Sequence, residues 1–248
     1  MKMLILAAGY ATRLYPLTKD FPKLLLEVQG KTIIDHMLVN MDCNKIEQIV
    51  VVTNHRFVTH FEAWKAESAW KDKLVILDDG SIENENRLGA VKDIVFAVES
   101  LNIADDLFVV AGDNLLDFSL DQFVKYYEEK KASVVMRHYE EELVKLQRTG
   151  VASVNENDEV VLMEEKPKQP KSNWAVPPFY VFRKEDLHLL NRGLREGCSY
   201  DAPGDFIAWL CQNAEVYAML MPGSRYDIGS LESYEKVKSY GLQGVQIS

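Results

Sequence analysis

Cysteine is scarce in this chain. The three cysteines, Cys43, Cys198 and Cys211, follow no zinc-binding spacing, and their odd number does not suggest a disulfide framework. We interpret them as reduced thiols in a cytosolic protein. A recognisable His-Ser or Cys-His arrangement is also missing among the five histidines, so the sequence offers no obvious pair of nucleophile and base.

Positive charge is also in short supply, because the chain carries a formal net charge of -10. A protein that binds duplex nucleic acid normally has a basic surface, so this class of partner is disfavoured. An acidic protein whose ligand is itself anionic must concentrate positive charge locally or bring a metal ion.

Long apolar runs are absent from the beginning of the chain. The apolar start at residues 3–8 is too short for a signal peptide or a membrane span, and a Gly and an Arg soon follow it. We therefore expect a soluble, cytoplasmic protein with no membrane partner. The oligomeric state stays open, a homo-oligomer included.

Short apolar runs alternate with helix-like stretches over the first half of the chain. Runs rich in Val, Ile and Leu predict buried parallel strands at residues 3–7, 49–53, 74–77 and 107–111. Apolar residues at helical spacing predict helices at residues 32–41, 55–65 and 88–99. This alternation is typical of an α/β sheet with right-handed crossovers.

The pattern changes after about residue 130. Further strands are predicted at residues 133–137, 150–154, 160–164 and 174–182, several as antiparallel candidates, and helices at residues 184–195, 204–211 and 231–240. We see no internal repeat and no low-complexity linker. The prediction is a single Rossmann-like three-layer α/β/α domain over residues 1–248, with a mixed, mostly parallel central sheet and a small antiparallel extension.

The loop after the first predicted strand gathers small and basic residues. Ligands of open α/β sheets bind beyond the carboxyl ends of the strands. Small residues there let backbone N–H groups approach a phosphate, and Gly9 with Ala7, Ala8 and Ala11 would give that access. Residues 1–25 hold four basic residues, Arg13 and Lys23 among them, against the single acidic Asp20. A solvated loop explains these residues equally well when they are taken alone.

Two common phosphate-binding motifs do not fit this loop. It lacks the Gly-Lys-Ser/Thr ending of a P-loop, and one Gly replaces the three of the dinucleotide fingerprint. What the loop resembles is longer and more specific. The run LILAAGYATRLYPLT at residues 4–18, followed by FPKLLLEV at residues 21–28, closely resembles the signature of the sugar-phosphate nucleotidyltransferases, and glucose-1-phosphate thymidylyltransferases are the nearest group.

This resemblance implies that the two halves of the chain bind different substrates. Residues 1–130 would be the nucleotide-binding half and residues 131–248 the acceptor-binding half, with the antiparallel extension at the acceptor site. Arg13 and Lys23 would be catalytic. The nucleotide would be bound by Leu6, Ala7, Ala8, Gly9, Leu88, Gly89 and Asp113. One departure is Ala11, where the family usually has a second Gly; Ala keeps the loop close to a phosphate provided that its φ is negative.

Two carboxylates are candidates for a metal site. Asp113 follows the fourth predicted strand, at the sheet edge where a ligand would bind, and Mg²⁺ takes hard oxygen ligands. An Asp that caps a turn is the better interpretation of Asp113 when its motif is taken alone. Asp227 lies far downstream, just before a predicted helix. The resemblance covers both positions and implies that Asp113 and Asp227 share one Mg²⁺.

The acceptor side rests mainly on the resemblance. The family carries a Glu-Lys-Pro motif after a Gly in a strand, which matches Gly150, Glu165 and Lys166. Gly150 and Glu165 would then contact the sugar and Lys166 its phosphate, with Val176 and Tyr180 in the same site. The match weakens at Pro177-Pro178 and over residues 200–210. The base (thymine, uracil or cytosine) and the acceptor therefore stay open.

The reaction that the resemblance implies needs no general base. A sugar 1-phosphate oxygen attacks the α-phosphorus of dTTP, UTP or CTP, and a phosphate monoester with a second pKa of about 6 is already ionised at neutral pH. A first alternative is a cytidylyltransferase for a non-sugar acceptor such as phosphocholine. Its aromatic cage could draw on Trp174, Phe179, Tyr180, Tyr200 and Trp209, although core packing is the interpretation we favour. A second alternative is a non-catalytic nucleotide-sugar sensor.

Overall fold

The computed structural model describes residues 1–39, 41 and 45–240. Its strands are β1 Lys2–Leu6, β2 Glu27–Val28, β3 Lys31–Thr32, β4 Gln48–Thr53, β5 Leu74–Asp78, β6 Leu107–Ala111, β7 Asn114–Leu116, β8 Ser133–Tyr139, β9 Gly150–Val154, β10 Val160–Glu165, β11 Trp174–Val176, β12 Phe179–Phe182, β13 Val216–Leu220 and β14 Arg225–Asp227. Its α-helices are α1 Ile33–Val39, α2 Val58–Glu67, α3 Ala90–Ser100, α4 Asp121–Lys130, α5 Leu143–Leu146, α6 His188–Arg195, α7 Pro203–Leu210 and α8 Leu231–Tyr240. Helices alternate with strands of a mixed sheet, as the sequence predicts.

Internal contacts divide the chain into two compact units. The loop unit contains the N-terminal loop and comprises Met3–Arg87, Ala111–Asp121 and the chain from Pro222 onward. The large-sheet unit comprises Met1–Lys2, Leu88–Val110 and Gln122–Met221. The single domain of residues 1–248, with its halves at 1–130 and 131–248, stays a prediction.

The loop unit is built on short strands with apolar faces. Its sheet has the order β1-β4-β5, and β4 and β5 are parallel, with Ile49 opposite Leu74. All three strands are rich in Val, Ile and Leu because helices or loops cover both faces of a parallel sheet. A second pairing is antiparallel and joins β7 to β14. It brings the chain that follows Pro222 beside residues 114–116.

The large-sheet unit is mainly antiparallel. Its strands run in the order β10-β9-β11-β8-β12-β6, and β13 pairs in parallel with β8. The predicted strand at residues 174–182 is broken into β11 and β12, because Pro177 and Pro178 lack the N–H groups that would continue the ladder. Buried aromatic rings fill the core of this unit, among them Phe108, Phe123, Phe179, Phe182 and Phe206.

Two predictions, on the cysteines and on membrane-spanning segments, can be compared with this structure. The thiols of Cys198 and Cys211 are free, and burial raises the pKa of Cys211 to about 12. Cys43 lies outside the described residues, as does Asn40 in the predicted helix at residues 32–41. Over the part of the chain that the structure describes, none of the helices combines the length and the apolar character needed to cross a bilayer.

Candidate functional site

The N-terminal loop begins where β1 ends. Leu6 is the last residue of that strand, and the N–H of Ala7 still donates to the carbonyl of Val52 on β4, at 2.8 Å. Ala7 and Ala8 are buried, whereas Gly9 is exposed with open space around the position of a Cβ. Leu6, Ala7, Ala8 and Gly9, which were predicted to bind the nucleotide, therefore lie together at the carboxyl end of a sheet strand.

Ala11 does not have the negative φ that the sequence interpretation required. Its φ is 47° and its ψ is 42°, in the left-handed helical region, directly before the short 3-10 helix Thr12–Leu14. A Cβ in this region crowds the following carbonyl and costs about 1–2 kcal/mol per residue. The usual Gly at this position of the family signature is therefore explained by backbone conformation, and this chain tolerates strain there.

Replacing Ala11 by Gly is expected to raise the free energy of unfolding by about 0.5–1 kcal/mol, because relief of the strain outweighs the extra entropy of Gly in the unfolded chain. Thermal or urea unfolding measures the change. Gln29→Gly is the matched control, since Gln29 also has a left-handed φ, of 52°, in the turn between β2 and β3. A higher free energy of unfolding for Gln29→Gly together with a lower one for Ala11→Gly would contradict the strain assigned to Ala11.

Lys23 and Asp113 form a close ion pair. Lys23 Nζ lies 2.8 Å from Asp113 Oδ2, and the Lys side chain is only 11% exposed. Lys23 opens the 3-10 helix Lys23–Leu25, and Asp113 follows β6 through Gly112. The other carboxylate oxygen of Asp113 accepts a hydrogen bond from Asn114 Nδ2 at 2.9 Å. Two residues that are far apart in the sequence are thus in contact beside the N-terminal loop.

Asp227 is brought to Asp113 by the antiparallel pairing of β7 with β14. Asp227 lies opposite Asn114, and the N–H of Ile228 donates to the carbonyl of Asp113 at 3.1 Å. Partial burial raises the pKa of Asp227, and the like charge of Asp113 raises it further. Lys23, Arg225 and Arg13 oppose this effect. The four residues predicted for catalysis and metal binding, Arg13, Lys23, Asp113 and Asp227, therefore belong to one electrostatically coupled group in the loop unit.

Arg13 reaches this group from the 3-10 helix. Its Nη2 lies 3.7 Å from the position that a Cβ on Gly229 would occupy, an ordinary contact distance, and Asp227 Oδ2 lies 3.1 Å from the same position, so Arg13 and Asp227 both border Gly229. Arg225 was not predicted. Its Nη1 donates to Asn114 Oδ1 at 2.7 Å, one residue from Asp113. Alternation along β14 places Arg225 on the same face as Asp227, but the sequence alone does not mark this short strand.

The donor set of this group fits a hard divalent cation. Two carboxylates that repel each other would be relieved by a shared positive ion, and Mg²⁺ is usually held by one or two carboxylates with phosphate oxygens and water. Within residues 1–39, 41 and 45–240, no cluster of three or more His, Cys, Asp or Glu is placed to hold a metal. A cation on Asp113 and Asp227 would therefore complete its shell with ligand oxygens and water.

The large-sheet unit aligns three predicted acceptor residues in one row across neighbouring strands. Gly150 on β9 is opposite Glu165 on β10 on one side and opposite Val176 on β11 on the other. A Cβ on Gly150 would collide with Met163 Cε and would lie 3.3 Å from Glu165 Oε2, so Gly at this position makes room mainly for the Met163 side chain and lies tightly against the carboxylate. Lys166 follows directly, with its Nζ 3.4 Å from Glu165 Oε1.

Glu165 is the most enclosed polar group of this row. Its side chain is 12% exposed, and burial raises the pKa of its carboxyl group, while Lys166 partly lowers it. Gly204, in the first turn of α7, was not predicted to matter. A Cβ on Gly204 would run into the Glu165 carboxylate. Nothing local in the sequence identifies this contact, because it joins a strand to a helix far along the chain.

Gly89 and Leu88 precede α3. Gly89 has a φ of 93° and a ψ of 150°, a conformation that is accessible almost only to Gly. The place of its missing Cβ is occupied by Tyr200, whose carbonyl oxygen would lie 2.7 Å from it and also accepts a hydrogen bond from the N–H of Val91. Packing against Tyr200 therefore accounts for Gly89 without a ligand, and its role toward a base stays a prediction.

The aromatic residues considered for a cage pack against other protein groups, and Tyr180 and Trp209 belong to one row of rings that continues through Phe182 and Phe206. The ring of Trp174 packs against Tyr139, that of Trp209 against Phe206, and that of Tyr180 against Phe182. Lys92 lies 4.7 Å above the ring of Tyr200, and Phe179 is fully buried. Tyr180 is on β12, separated from β11 by β8 in the strand order, so the structure places it apart from the row of Gly150, Glu165 and Val176. These contacts favour core packing for the aromatic residues.

Comparisons with known proteins agree over nearly the whole chain. The model of the nucleotidyl transferase family matches residues 2–243. A UTP–glucose-1-phosphate uridylyltransferase of Haloferax volcanii, AglF, is 26% identical over 96% of this chain and 95% of its own length. A glucose-1-phosphate adenylyltransferase of Fervidobacterium nodosum is 25% identical over 93% of this chain. The chain spans only 59% of that longer relative.

Solved structures confirm the predicted Rossmann-like fold with its mixed sheet. A Bacillus anthracis protein described as a glucose-1-phosphate thymidylyltransferase, in complex with sucrose, superposes with a TM-score of 0.82 at 22% identity, over 100% of this chain and 96% of that protein. A UDP-glucose pyrophosphorylase in complex with UDP-glucose gives a TM-score of 0.77 at 22% identity, over 96% of this chain and 97% of its own. At such identities these structures establish the fold, whereas the family match establishes membership. The chain belongs to the nucleotidyl transferase family of enzymes.

Proposed function

We propose that this protein is a sugar-1-phosphate nucleotidyltransferase, which moves the NMP unit of a nucleoside triphosphate to a sugar 1-phosphate and releases pyrophosphate. The observation that carries the proposal is the ion pair of Lys23 with Asp113, coupled to Arg13 and Asp227 beside the N-terminal loop. The names of the relatives support a hexose 1-phosphate as acceptor and UTP, dTTP or ATP as donor. The sequence resemblance favours a pyrimidine nucleotide.

Catalysis in this proposal is positioning and charge neutralisation. The nucleophile is an ionised phosphate oxygen, so no side chain has to remove a proton. Arg13 and Lys23 bind the triphosphate oxygens and stabilise the charge that develops on pyrophosphate as it leaves. Asp113 holds Lys23 Nζ at 2.8 Å and thereby orients it. The N-terminal loop, with Gly9 exposed, offers backbone N–H groups to the same oxygens.

Mg²⁺ is part of the proposal. Asp113 and Asp227 would hold it, and the ion would supply additional positive charge to the phosphate oxygens. The raised pKa of Asp227 supports this assignment, because burial and the charge of Asp113 leave a carboxylate there that a cation would stabilise. Since the ion competes with protons for the carboxylate, its apparent affinity is expected to fall as the pH is lowered from neutral toward the pKa of Asp227.

On the acceptor side, Glu165 accepts hydrogen bonds from sugar hydroxyl groups and Lys166 binds the acceptor phosphate. The enclosure of Glu165 beside Gly150 and Gly204 supports this role, because a carboxylate with little access to water makes stronger hydrogen bonds. Lys166 is 59% exposed and therefore free to swing toward a phosphate. Val176, buried next to Gly150, would line the same site.

The test is an assay of pyrophosphate release over a matrix of substrates. Each of UTP, dTTP, CTP, ATP and GTP is combined with glucose 1-phosphate, other hexose 1-phosphates and phosphocholine, with Mg²⁺ or with excess EDTA. Release that depends on a sugar 1-phosphate and on Mg²⁺ would support the proposal. Pyrophosphate release only with CTP and phosphocholine would instead support the alternative function as a cytidylyltransferase. Nucleotide-sugar binding without turnover under any condition would indicate the sensor.

A further inference from the structure

Two buried side chains hold the backbone of the N-terminal loop by its carbonyl groups. Asn54 follows β4 and is 0% exposed, and its Nδ2 donates to the carbonyl of Ala8 at 3.0 Å. Thr18 is 1% exposed, and its Oγ1 donates to the carbonyl of Ala11 at 2.9 Å. Both side chains belong to the loop unit, and neither was predicted from the sequence as a site residue.

The direction of these two carbonyls sets the direction of the neighbouring N–H groups. In a trans peptide the C=O and the N–H of one unit point in opposite directions. The carbonyl of Ala8 is turned toward Asn54, so the N–H of Gly9 is turned away from it. The carbonyl of Ala11 accepts hydrogen bonds from Thr18 Oγ1 and from the N–H of Leu14, each at 2.9 Å, so Thr18 and the 3-10 turn together direct the N–H of Thr12 to the opposite side. Within the described residues these two N–H groups have no hydrogen-bond acceptor, and Gly9 and Thr12 are exposed.

Stability alone does not account for Asn54. Its Oδ1 is buried and has no hydrogen-bond partner in the described part of the chain, although burying an amide oxygen unpaired costs about 1–3 kcal/mol. An apolar side chain would avoid this cost at the end of a strand whose last five residues are buried. What the amide provides in return is the hydrogen bond to the Ala8 carbonyl.

We propose that Asn54 and Thr18 are positioning residues, which preset the N–H groups of Gly9 and Thr12 for oxygen atoms of a triphosphate. The proposal rests on the proposed function, since it takes the N-terminal loop as the triphosphate site. It goes further in assigning the arrangement of the loop to two residues that touch no substrate. Binding then orders little additional backbone, which preserves affinity.

The test measures equilibrium binding by calorimetry, with inorganic pyrophosphate and with the nucleotide that the wild type uses as probes. Thr18→Val keeps the shape of the side chain but removes the donor, and Asn54→Asp replaces the donor by a carboxylate that repels the Ala8 carbonyl. Each is expected to raise the Kd for both probes about 10-fold, through loss of a buried hydrogen bond and reorientation of the loop. The KM for the acceptor should stay unchanged. Thr18→Ser, which keeps the hydroxyl group, should bind both probes with the Kd values of the wild type.

Thr53→Val is the matched control. Thr53 is also fully buried in the same strand end, but its Oγ1 faces the carbonyl of Asn54 at 3.5 Å and contacts no carbonyl of the N-terminal loop. Its Kd values should equal those of the wild type. The positioning role would be overturned if Thr18→Val folds and binds both probes with unchanged Kd values, or if Thr53→Val loses as much affinity as Thr18→Val. The proposed function would stand in either case. Failure of the wild type to bind either probe would overturn both.

Discussion

Replacing Asp113 by Asn is expected to lower kcat by about 10³-fold, which corresponds to about 4 kcal/mol of transition-state stabilisation. Two losses combine. The carboxylate can no longer serve as a metal ligand, and Lys23, whose side chain is 11% exposed, loses the counterion that holds its Nζ at 2.8 Å. Pyrophosphate release with saturating substrates and a titration of Mg²⁺ measure both effects. The Mg²⁺ concentration needed for half-maximal activity should also rise.

The fold should survive this substitution. Asn keeps a carbonyl oxygen as acceptor for Lys23, so the cost is about 1 kcal/mol, or about 2–4 °C in Tm for a chain of this size. Asp117→Asn is the control, because Asp117 lies in the same unit and accepts a hydrogen bond from the N–H of Ser224 at 2.6 Å, which Asn can still accept. Near-normal turnover of Asp113→Asn with Mg²⁺ present would remove Asp113 from the metal site.

How far the sequence predicted this site depends on the kind of signal. Asp113, Lys23 and Arg13 were predicted from a resemblance carried by contiguous residues. Their contact with Asp227 requires the pairing of β7 with β14, two strands of three residues that no local pattern marks. Asn54 carried only a weak signal, a polar residue after a buried strand. Gly204 carried none, because its significance lies in the position of the Glu165 carboxylate.

The fold was predicted best where burial on both faces forces an apolar run. The first four predicted strands match β1, β4, β5 and β6 to within one residue at each end, whereas the two-residue strands β2 and β3 were not predicted. The helix α4 Asp121–Lys130 was not predicted, because only Phe123, Val124 and Tyr127 mark its buried face among charged neighbours. The hydroxyl of Ser119, which accepts a hydrogen bond from the N–H of Asp121, was the available signal for its start. The positive φ of Ala11 could not be predicted, since sequence alone does not fix the backbone of a loop.

Lys166→Ala is expected to lower kcat/KM for the acceptor about 10–150-fold, the value of one hydrogen bond between a charged donor and a phosphate, about 1.5–3 kcal/mol. The KM for the nucleotide should not change. The acid limb of the pH profile for the acceptor should move to higher pH. Burial raises the pKa of Glu165, and Lys166, 3.4 Å away, is the group that counteracts it, so its removal leaves the carboxylate harder to ionise.

Lys171→Ala separates this effect from a general loss of positive charge. Lys171 is 63% exposed, close to the 59% of Lys166, and its Nζ lies 3.7 Å from Glu164 rather than from Glu165. Its removal should change neither the acceptor kinetics nor the pH profile. An unchanged kcat/KM in Lys166→Ala would exclude Lys166 from the acceptor site. A loss without the pH shift would keep Lys166 as a phosphate ligand but show that Glu165 does not need to be ionised, because the electrostatic link between the two residues would then have no consequence for binding.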